Sequence, residues 1–401
     1  MGGAFSSTTP WVGTLDGITP NDLLRNPFPN GFSLPRGSAD GLLTQVGLGL
    51  NGPWPQAMMT PYNQQWNFTI QRSVGDNTVL EIAYAGNKGT HLAFYTAQMD
   101  QLDPQYLSLG NKLFDQVPNP FYGQITTGVL AQPTVQRGYL LRPFPEFNGV
   151  LANAASWGNS NYHALQARFE KRYSRGLSLL AAYTWSKTIS DGVDGFWAGP
   201  WGNMRNWYCR ACDRAISVYD QPHRFVLNST YELPFGRGKA FGARWNRLID
   251  GALGGWQVNG ILTLSVGQPI IFYTAQNTSF SYGGGQRPDS TGINPDLGSA
   301  RTIARWFDTN QIVQPQQFTF GNMARNSDVR SDNAKNLDFS VFKDFRFRER
   351  YRFSLRGEAF NLMNTPLFGA PNTVLGSPTF GRVLSQENLP RQVQLGLKLL
   401  F

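Results

Sequence analysis

Apolar and polar residues alternate one by one in nine separate stretches of the chain. In the last stretch, RQVQLGLKLLF at 391–401, every second residue is apolar and the chain ends on an aromatic residue. A period of two places successive side chains on opposite faces of an extended chain. The pattern therefore predicts nine β-strands, each with one apolar face. These predicted strands cover 64–73, 78–84, 162–173, 177–186, 224–233, 256–266, 336–345, 351–360 and 391–401.

The length of the predicted strands narrows the choice of fold. A soluble β-sandwich also alternates, because it packs one face of each sheet and leaves the other in water. Strands of about ten residues are longer than the five or six typical of globular sheets, and they suit a tilted crossing of a bilayer. Strand length therefore favours a membrane barrel.

The connections between the strands alternate between short and long. VGDN, SRG and RFRER make tight links, whereas the other connections contain roughly 25 to 75 residues rich in Gly, Pro, Asn and aromatic residues. Only 234–255 is of middling length where a short link is expected. If the C-terminus lies at the periplasmic edge, every tight turn falls on the periplasmic side. Short periplasmic turns and long outer loops are typical of outer-membrane barrels.

Composition agrees with an all-β chain that has long loops. Charged residues make up 15% and aromatic residues 13% of the 401 positions, with 43 Gly and 25 Pro, a mixture poor in helix formers. The sequence contains no run of about 18 apolar residues, so it predicts no transmembrane helix. A search for such runs does not detect the strands of a barrel. MGGAFSSTTPW lacks the basic and apolar regions of a secretory signal.

The net charge of +9 raises the question whether the chain binds nucleic acid. Basic residues in the strands, such as Arg168, Arg352 and Lys398, alternate with apolar ones, so we expect them in a watery lumen or at the rims. They form no continuous stripe that could follow a phosphate backbone. We therefore expect no nucleic-acid partner.

These patterns predict an antiparallel outer-membrane barrel segment of nine or ten long strands. Residues 63–401 form the barrel portion, and 1–62 form a loop region with one weak strand near 43–50. The apolar row of the last strand faces lipid and ends in an interfacial aromatic residue. That row consists of Val393, Leu395, Leu397, Leu399 and Phe401. The alternative hypothesis is a secreted or surface-attached β-sandwich adhesin, which would be soluble without detergent.

Cys209 and Cys212 form a CxxC motif in the loop after the fourth strand. A zinc site would need two further ligands, and of the three histidines His163 and His223 lie in or at strands, with His91 in another loop. A redox site would need a thioredoxin-like frame, which is missing. We favour a local disulfide in an oxidising envelope over these alternatives.

The loops also carry aromatic residues next to polar ones, which suit capture of a glycan or peptide by stacking and hydrogen bonding. The same residues also suit loops that pack on one another. We find no nucleophile, phosphate-binding or calcium motif, so we expect neither an enzyme nor a cofactor. The candidate ligand contacts are Trp197, Trp201, Arg205, Trp207, Tyr208, Tyr282 and Arg287.

Several long stretches resemble one family. They include PYNQQWNFTIQR at 61–72, NYHALQARFEKRYSRGLSLLAAYTWSKTISD at 161–191 and DQPHRFVLNSTYELPFGRGK at 220–239. Others are NPFPNG at 26–31, NTVLEIAYAGNKGTHL at 77–92, GGWQVNGILTLSVGQPI at 254–270 and RFSLRGEAFNLMNTPLFGAPN at 352–372. Together they are similar to the Oar-like, carboxypeptidase-regulatory-domain-containing branch of the TonB-dependent receptors, and they include all nine strands.

The resemblance implies uptake of an unknown ligand across a Gram-negative outer membrane. Such receptors have a signal peptide, an Ig-like module, a plug and a 22-stranded barrel. Their terminal strand is an assembly signal, which implies outer-membrane lipid and the barrel-assembly machinery as partners. We find no signal, module, plug or energy-coupling box here. We therefore expect the C-terminal part of a barrel, which cannot transport without a portion that carries the plug and contacts the TonB system.

Overall fold

Nine long strands dominate the computed structural model, which describes residues 6–52, 59–191, 204–347 and 351–401. The prediction of an all-β fold built from nine long antiparallel strands is confirmed. We number them β1 (Tyr62–Ser73), β2 (Thr78–Gln98), β3 (Val150–Ser174), β4 (Leu177–Ser190), β5 (His223–Glu232), β6 (Trp256–Ser265), β7 (Ala334–Phe347), β8 (Tyr351–Phe360) and β9 (Gln392–Leu400).

The nine strands form a single antiparallel meander, in which each strand pairs with the next along the chain. Among the described residues, no long strand pairs with the outer side of β1 or β9, so the sheet is open. A sandwich would need a second sheet of comparable size. Instead, one continuous sheet carries all nine long strands.

The strand register joins the apolar rows into one surface. Tyr84 on β2 lies between Phe68 on β1 and Leu165 on β3, and Leu165 in turn pairs with Trp185 on β4. At the edges this surface is uncovered, since Phe68 is 66% and Leu395 is 83% exposed. An uncovered apolar face of this extent fits a wall that contacts hydrocarbon.

Two strands are longer than the sequence pattern predicts. β2 continues from Tyr84 to Gln98, and β3 begins at Val150, twelve residues before the predicted start at 162. The register between them shifts on either side of Leu92, and His91 has a φ of 57°. A bulge breaks the period of two, so the alternation is lost although the pairing continues. His91 is therefore in a strand, and its predicted loop position was wrong.

The weak strand predicted near 43–50 is shorter than expected. Residues Gly41–Leu43 form a turn of 3-10 helix, and only Leu50–Asn51 form a strand. Leu50–Asn51 pairs in parallel with the start of β3. This short pairing attaches the described part of the region before β1 to the sheet.

Tight turns close one end of the sheet. Arg175 and Gly176 connect β3 to β4 with φ angles of 51° and 82°, as expected for a two-residue hairpin turn with positive φ at both positions. The 233–255 link contains helix α2 (Arg247–Leu253), whose N-terminus is capped by Asn246 through a bond of 2.9 Å from Ile249 N to Asn246 Oδ1.

Long loops leave the opposite end of the sheet. We name the β2–β3 loop (99–149), the β4–β5 loop (191–222), the β6–β7 loop (266–333) and the β8–β9 loop (361–391). They contain helix α1 (Arg137–Leu140), turns of 3-10 helix and short strands. The 3-10 turns lie at Pro104–Phe114, Gly128–Ala131, Arg210–Asp213, Gly298–Ala300 and Thr309–Gln311, and the short strands at Gln116–Pro118, Thr134–Gln136, Ala215–Ile216, Tyr273–Thr274, Asp289–Ser290, Ile312–Val313 and Val374–Leu375.

The hydrophobic core lies mainly in these loops. The largest buried cluster joins the β6–β7 loop to the β8–β9 loop, and contains Ile270, Phe272, Trp306, Phe307, Ile312, Met323 and Val329, packed against Phe368, Phe380 and Val383. Two further clusters lie in the β2–β3 loop and include Tyr282 of the β6–β7 loop at their margins. Within the described ranges, no helix is long and apolar enough to cross a bilayer.

Candidate ligand site in the loop layer

Gln101 connects three loops at one buried point. Its side-chain Oε1 accepts a bond of 2.8 Å from Trp207 N, and its backbone oxygen accepts one of 3.2 Å from the Tyr208 hydroxyl. Its neighbour Leu102 donates its N–H to Ser281 O at 2.8 Å. The β2–β3, β4–β5 and β6–β7 loops therefore form one packed layer.

A cavity of about 630 Å³ opens within this layer. Its walls come from the end of β2, from the β2–β3 loop and from the turn around Tyr282, and they include Gln98, Gln132, Gln136, Tyr139, Arg142 and Tyr282. The Tyr282 hydroxyl donates a bond of 3.2 Å to Gln136 Oε1. Amide and phenol groups beside aromatic faces suit a ligand rich in hydroxyl or amide groups.

Arg142 brings a positive charge to this cavity, but the charge is neutralised. Its Nη1 lies 2.6 Å from Asp100 Oδ2, and both side chains are buried. Its guanidinium carbon lies 3.6 Å from the centre of the Tyr139 ring. Since the cation has a carboxylate partner and an aromatic face, the cavity wall carries no uncompensated charge from this pair.

Burial sets the protonation of the groups around the cavity. Burial raises the pKa of Asp100 to about 6, although Arg142 opposes the shift. Burial also raises the pKa of Tyr139 and of Tyr282. Both phenols therefore remain protonated at neutral pH and can donate hydrogen bonds.

Arg287 and Arg205, two of the predicted ligand contacts, lie around a buried carboxylate. Arg287 is 5% exposed and forms an ion pair with the fully buried Asp213. Arg205 donates its backbone N–H to the same carboxylate at 3.2 Å and an Nη1 proton to Gly321 O at 2.5 Å. Arg325 also reaches this point through a bond of 3.0 Å from Nε to Asp213 O.

This cluster has more positive than negative charge. Among the described residues, Arg205 Nε and Arg287 Nη1 are buried without a hydrogen-bond partner. Burial lowers the pKa of the Arg287 guanidinium; Asp213 opposes this shift, and the charges of Arg205 and Arg325 add to it. Asp213 therefore joins the β4–β5 loop to the β6–β7 loop by holding these arginines.

The predicted aromatic contacts lie in different places. Tyr282 lines the cavity, whereas Tyr208 contacts Gln101 and remains 44% exposed. Trp207 packs against Trp157 with ring centres 4.9 Å apart. Trp197 and Trp201 lie outside the described residues.

The CxxC motif forms a short bridge in the β4–β5 loop. Cys209 and Cys212 are joined by a disulfide with a Cα–Cα distance of 5.4 Å. The bridge encloses Arg210 and Ala211, and the last residue of this 3-10 turn is the buried Asp213. The disulfide thus lies next to the exposed Arg210 on one side and the buried Asp213 with its arginines on the other.

Sequence reasoning missed three residues that organise the site. Asp100 and Gln101 lie just after the end of β2 at Gln98, and Arg142 lies in the loop before β3. Neither segment shows a period of two. A polar MDQLD stretch next to a strand is ordinary for a loop, so the sequence contains no pattern that would single out these side chains as buried.

The comparison with known families identifies the fold class of the chain. A profile of the family described as outer membrane beta barrel domain matches residues 2–394. The chain belongs to this family. The barrel is therefore an outer-membrane protein of the Gram-negative cell envelope, as the strand and loop pattern predicts. No curated protein shows significant sequence similarity to the barrel.

Solved structures with a similar fold are larger. The barrel is similar to the outer membrane transporter YddB from Escherichia coli, with 9% identity and a TM-score of 0.44 over 88% of the barrel chain and 34% of that chain. It is also similar to FpvA of P. aeruginosa bound to a heterologous pyoverdine, with 10% identity and a TM-score of 0.36, over 84% and 27% of the respective chains. The barrel thus spans about a third or less of the length of these structures.

Proposed function

We propose that the barrel is the C-terminal wall of a TonB-dependent importer of the Oar-like branch. The observation that carries this proposal is the open meander of nine strands, with loops packed together at one end around a cavity. In the family the plug performs the energy coupling. Uptake through this wall therefore requires a portion that carries a plug.

The two free edges support an assembly with further strands. Unpaired N–H and C=O groups are not tolerated in the hydrocarbon of a bilayer. β1 and β9 are both fully formed strands, and among the residues that the structure describes no strand pairs with their outer sides. We infer that strands from elsewhere in the same polypeptide, or from a separate one, complete the barrel, and that 63–401 act as the barrel portion with 1–62 as an outer loop region.

The cavity supports a neutral ligand such as a glycan or a peptide. Its polar wall consists largely of amides and phenols, and its buried arginine is paired with Asp100. Aromatic rings next to hydrogen-bonding groups suit sugar rings and peptide backbones alike. The terminal row that ends in Phe401 supports recognition by the barrel-assembly machinery.

Expression in outer membranes tests the proposal. The chain, directed by a signal peptide, is produced alone and together with a separate portion that carries a plug and early strands. We expect a heat-modifiable, protease-resistant species only in the joint expression. Complete extraction of the chain by urea in the presence of that portion would contradict the proposal, as would a monodisperse soluble monomer without detergent.

A further inference from the structure

A belt of aromatic residues crosses the outer, lipid-facing surface close to the long loops. The Tyr84 hydroxyl shares a hydrogen bond of 2.8 Å with His163 Nδ1, and the Tyr183 hydroxyl shares one of 2.8 Å with His223 Nδ1. Amphipathic rings of this kind collect where the bilayer meets water. We define the aromatic belt as Trp66, Tyr84, His163, Tyr183, Trp185 and His223, and it marks the height of the lipid headgroups on this wall.

Basic side chains lie on the same surface at the loop-side margin of the belt. Lys187 is the cross-strand partner of His163. Lys88 lies two residues beyond Gly86, which is the partner of His163 on the other side. Because the strand period is two, both lysines share the face of the belt. Lys88 Nζ donates a bond of 3.3 Å to Asn159 Oδ1.

A second cavity, of about 290 Å³, lies next to Asn159. Two arginines of the disulfide-bridged turn contribute to its wall. The guanidinium carbon of Arg210 lies 3.8 Å from the centre of the Trp157 ring, and Arg214 Nη1 lies 2.8 Å from Asp191 Oδ1. Both arginines are exposed, so their remaining N–H groups are open to a ligand.

We propose that the outer basic patch, defined as Lys88, Lys187, Arg210 and Arg214, binds the phosphate groups of an anionic lipid headgroup in the outer leaflet. Arg210 and Arg214 line the cavity together with one acidic residue, Asp191. Lys88 bonds to Asn159 of the same lining, and Lys187 lies on the same face of the sheet at the cross-strand partner position of His163. The planar guanidinium matches phosphate geometry, and lysine adds point charge. The aromatic belt sets the outer basic patch at the height of the lipid headgroups. The patch lies on the lipid side of the wall and is therefore separate from the cavity that contains Tyr282.

Displacement of a fluorescent lipid A in detergent micelles tests the site with the full chain, in the assembly in which it is purified. Unlabelled bisphosphorylated lipid A should compete about tenfold better than its dephosphorylated form. The R210A/R214A variant should bind lipid A about tenfold more weakly. Lys88 lies on β2 and not in the disulfide-bridged turn. The K88Q variant should therefore weaken binding about threefold even if R210A/R214A disturbs the turn.

The control is R237A/R244A, which removes two exposed arginines from the link at the other end of the sheet and should leave the affinity unchanged. Equal competition by dephosphorylated lipid A, or unchanged affinity in both patch variants, would overturn the proposal. Equal displacement by inorganic phosphate would indicate a free-anion site, and equal displacement by polyglutamate an acidic protein partner. Either result would also overturn it.

Discussion

Trp66 on β1 lies so closely across Gly86 on β2 that a Cβ on Gly86 would stand 2.3 Å from the indole Nε1. The two residues are direct cross-strand partners. Glycine leaves the space that the ring occupies, and the indole N–H lies 3.4 Å from the Tyr84 hydroxyl. The missing side chain at Gly86 therefore allows Trp66 to join the aromatic belt.

The Gly86→Ala variant should be less stable because the new methyl group displaces this ring. We expect a loss of about 1 to 3 kcal/mol in the free energy of unfolding, as is typical of overpacking. Chemical unfolding in detergent micelles, followed by tryptophan fluorescence, measures it. Gly357→Ala is the control, since its Cβ would meet Leu395 Cδ2 at an ordinary 3.6 Å. Equal losses in both variants would contradict the role of Gly86.

Removal of the Asp213 carboxylate should strongly destabilise the loop layer. In Asp213→Ala, Arg287 loses the carboxylate with which it pairs while it stays buried beside two other arginines. Uncompensated buried charge costs about 3 to 5 kcal/mol. Asp191→Ala is the matched control, because it breaks the more exposed pair with Arg214 and should cost at most about 1 kcal/mol.

Limited proteolysis of the β4–β5 and β6–β7 loops measures the difference between these two variants. We expect rapid cleavage of both loops in Asp213→Ala and a pattern close to that of the unmodified chain in Asp191→Ala. Equal resistance in the two variants would show that the arginine cluster does not hold the loops together.

Asp100 should make loop stability depend on pH. Burial raises its pKa from 3.8 to about 6, so between those values the folded state binds the proton more tightly than the unfolded state does. The contribution of Asp100 to stability therefore falls as the pH rises through this range. At pH 5 the folded state gains about 1.4 kcal/mol from this group relative to pH 7.5.

The Asp100→Asn variant tests this dependence. At pH 5 Asp100 is mostly protonated, so its neutral analogue Asn should change the stability little there, and the difference between pH 5 and pH 7.5 should shrink by about 1.4 kcal/mol. Thermal unfolding of the detergent-solubilised protein at both pH values measures it. An unchanged pH dependence would mean that Asp100 stays ionised throughout this range.

The sequence predicts the sheet well where one face of each strand contacts an apolar medium, because only there must apolar residues recur every second position. The C-terminal part of β2 and the N-terminal part of β3 do not alternate in this way. Beyond Tyr84 the bulge at Leu92 shifts the register, and Phe94 packs against loop residues such as Met204. Both faces there contact protein, so the residues no longer alternate.

The site is harder to predict than the sheet because its contacts join distant segments. Tyr282 could be selected from the sequence as an aromatic residue in a polar loop. Its contact with Gln136 spans 146 positions, and the pair of Arg142 with Asp100 depends on how both ends of the β2–β3 loop fold back. No local period or spacing encodes either contact.

Phe401 should matter for insertion more than for the stability of the sheet. It is 85% exposed and follows the last paired residue of β9, so its removal breaks few contacts. We expect Phe401→Ala to lower the amount of chain in outer membranes severalfold, as the resemblance to assembly signals implies. Lys398→Ala, on the other face of β9, is the control. Equal amounts in both variants, measured by immunoblot of membrane fractions, would contradict this role.

Loss of the disulfide should affect only the turn that it closes. A bridge between residues three positions apart removes little entropy from the unfolded chain, so by this measure it contributes only about 2 kcal/mol. In C209S/C212S we expect faster hydrogen exchange around Arg210, with unchanged heat-modifiable migration of the assembled barrel. Dithiothreitol should produce the same change in the unmodified chain and none in the variant. If the reduced chain instead bound zinc in a one-to-one ratio, Cys209 and Cys212 would be metal ligands and not a structural disulfide.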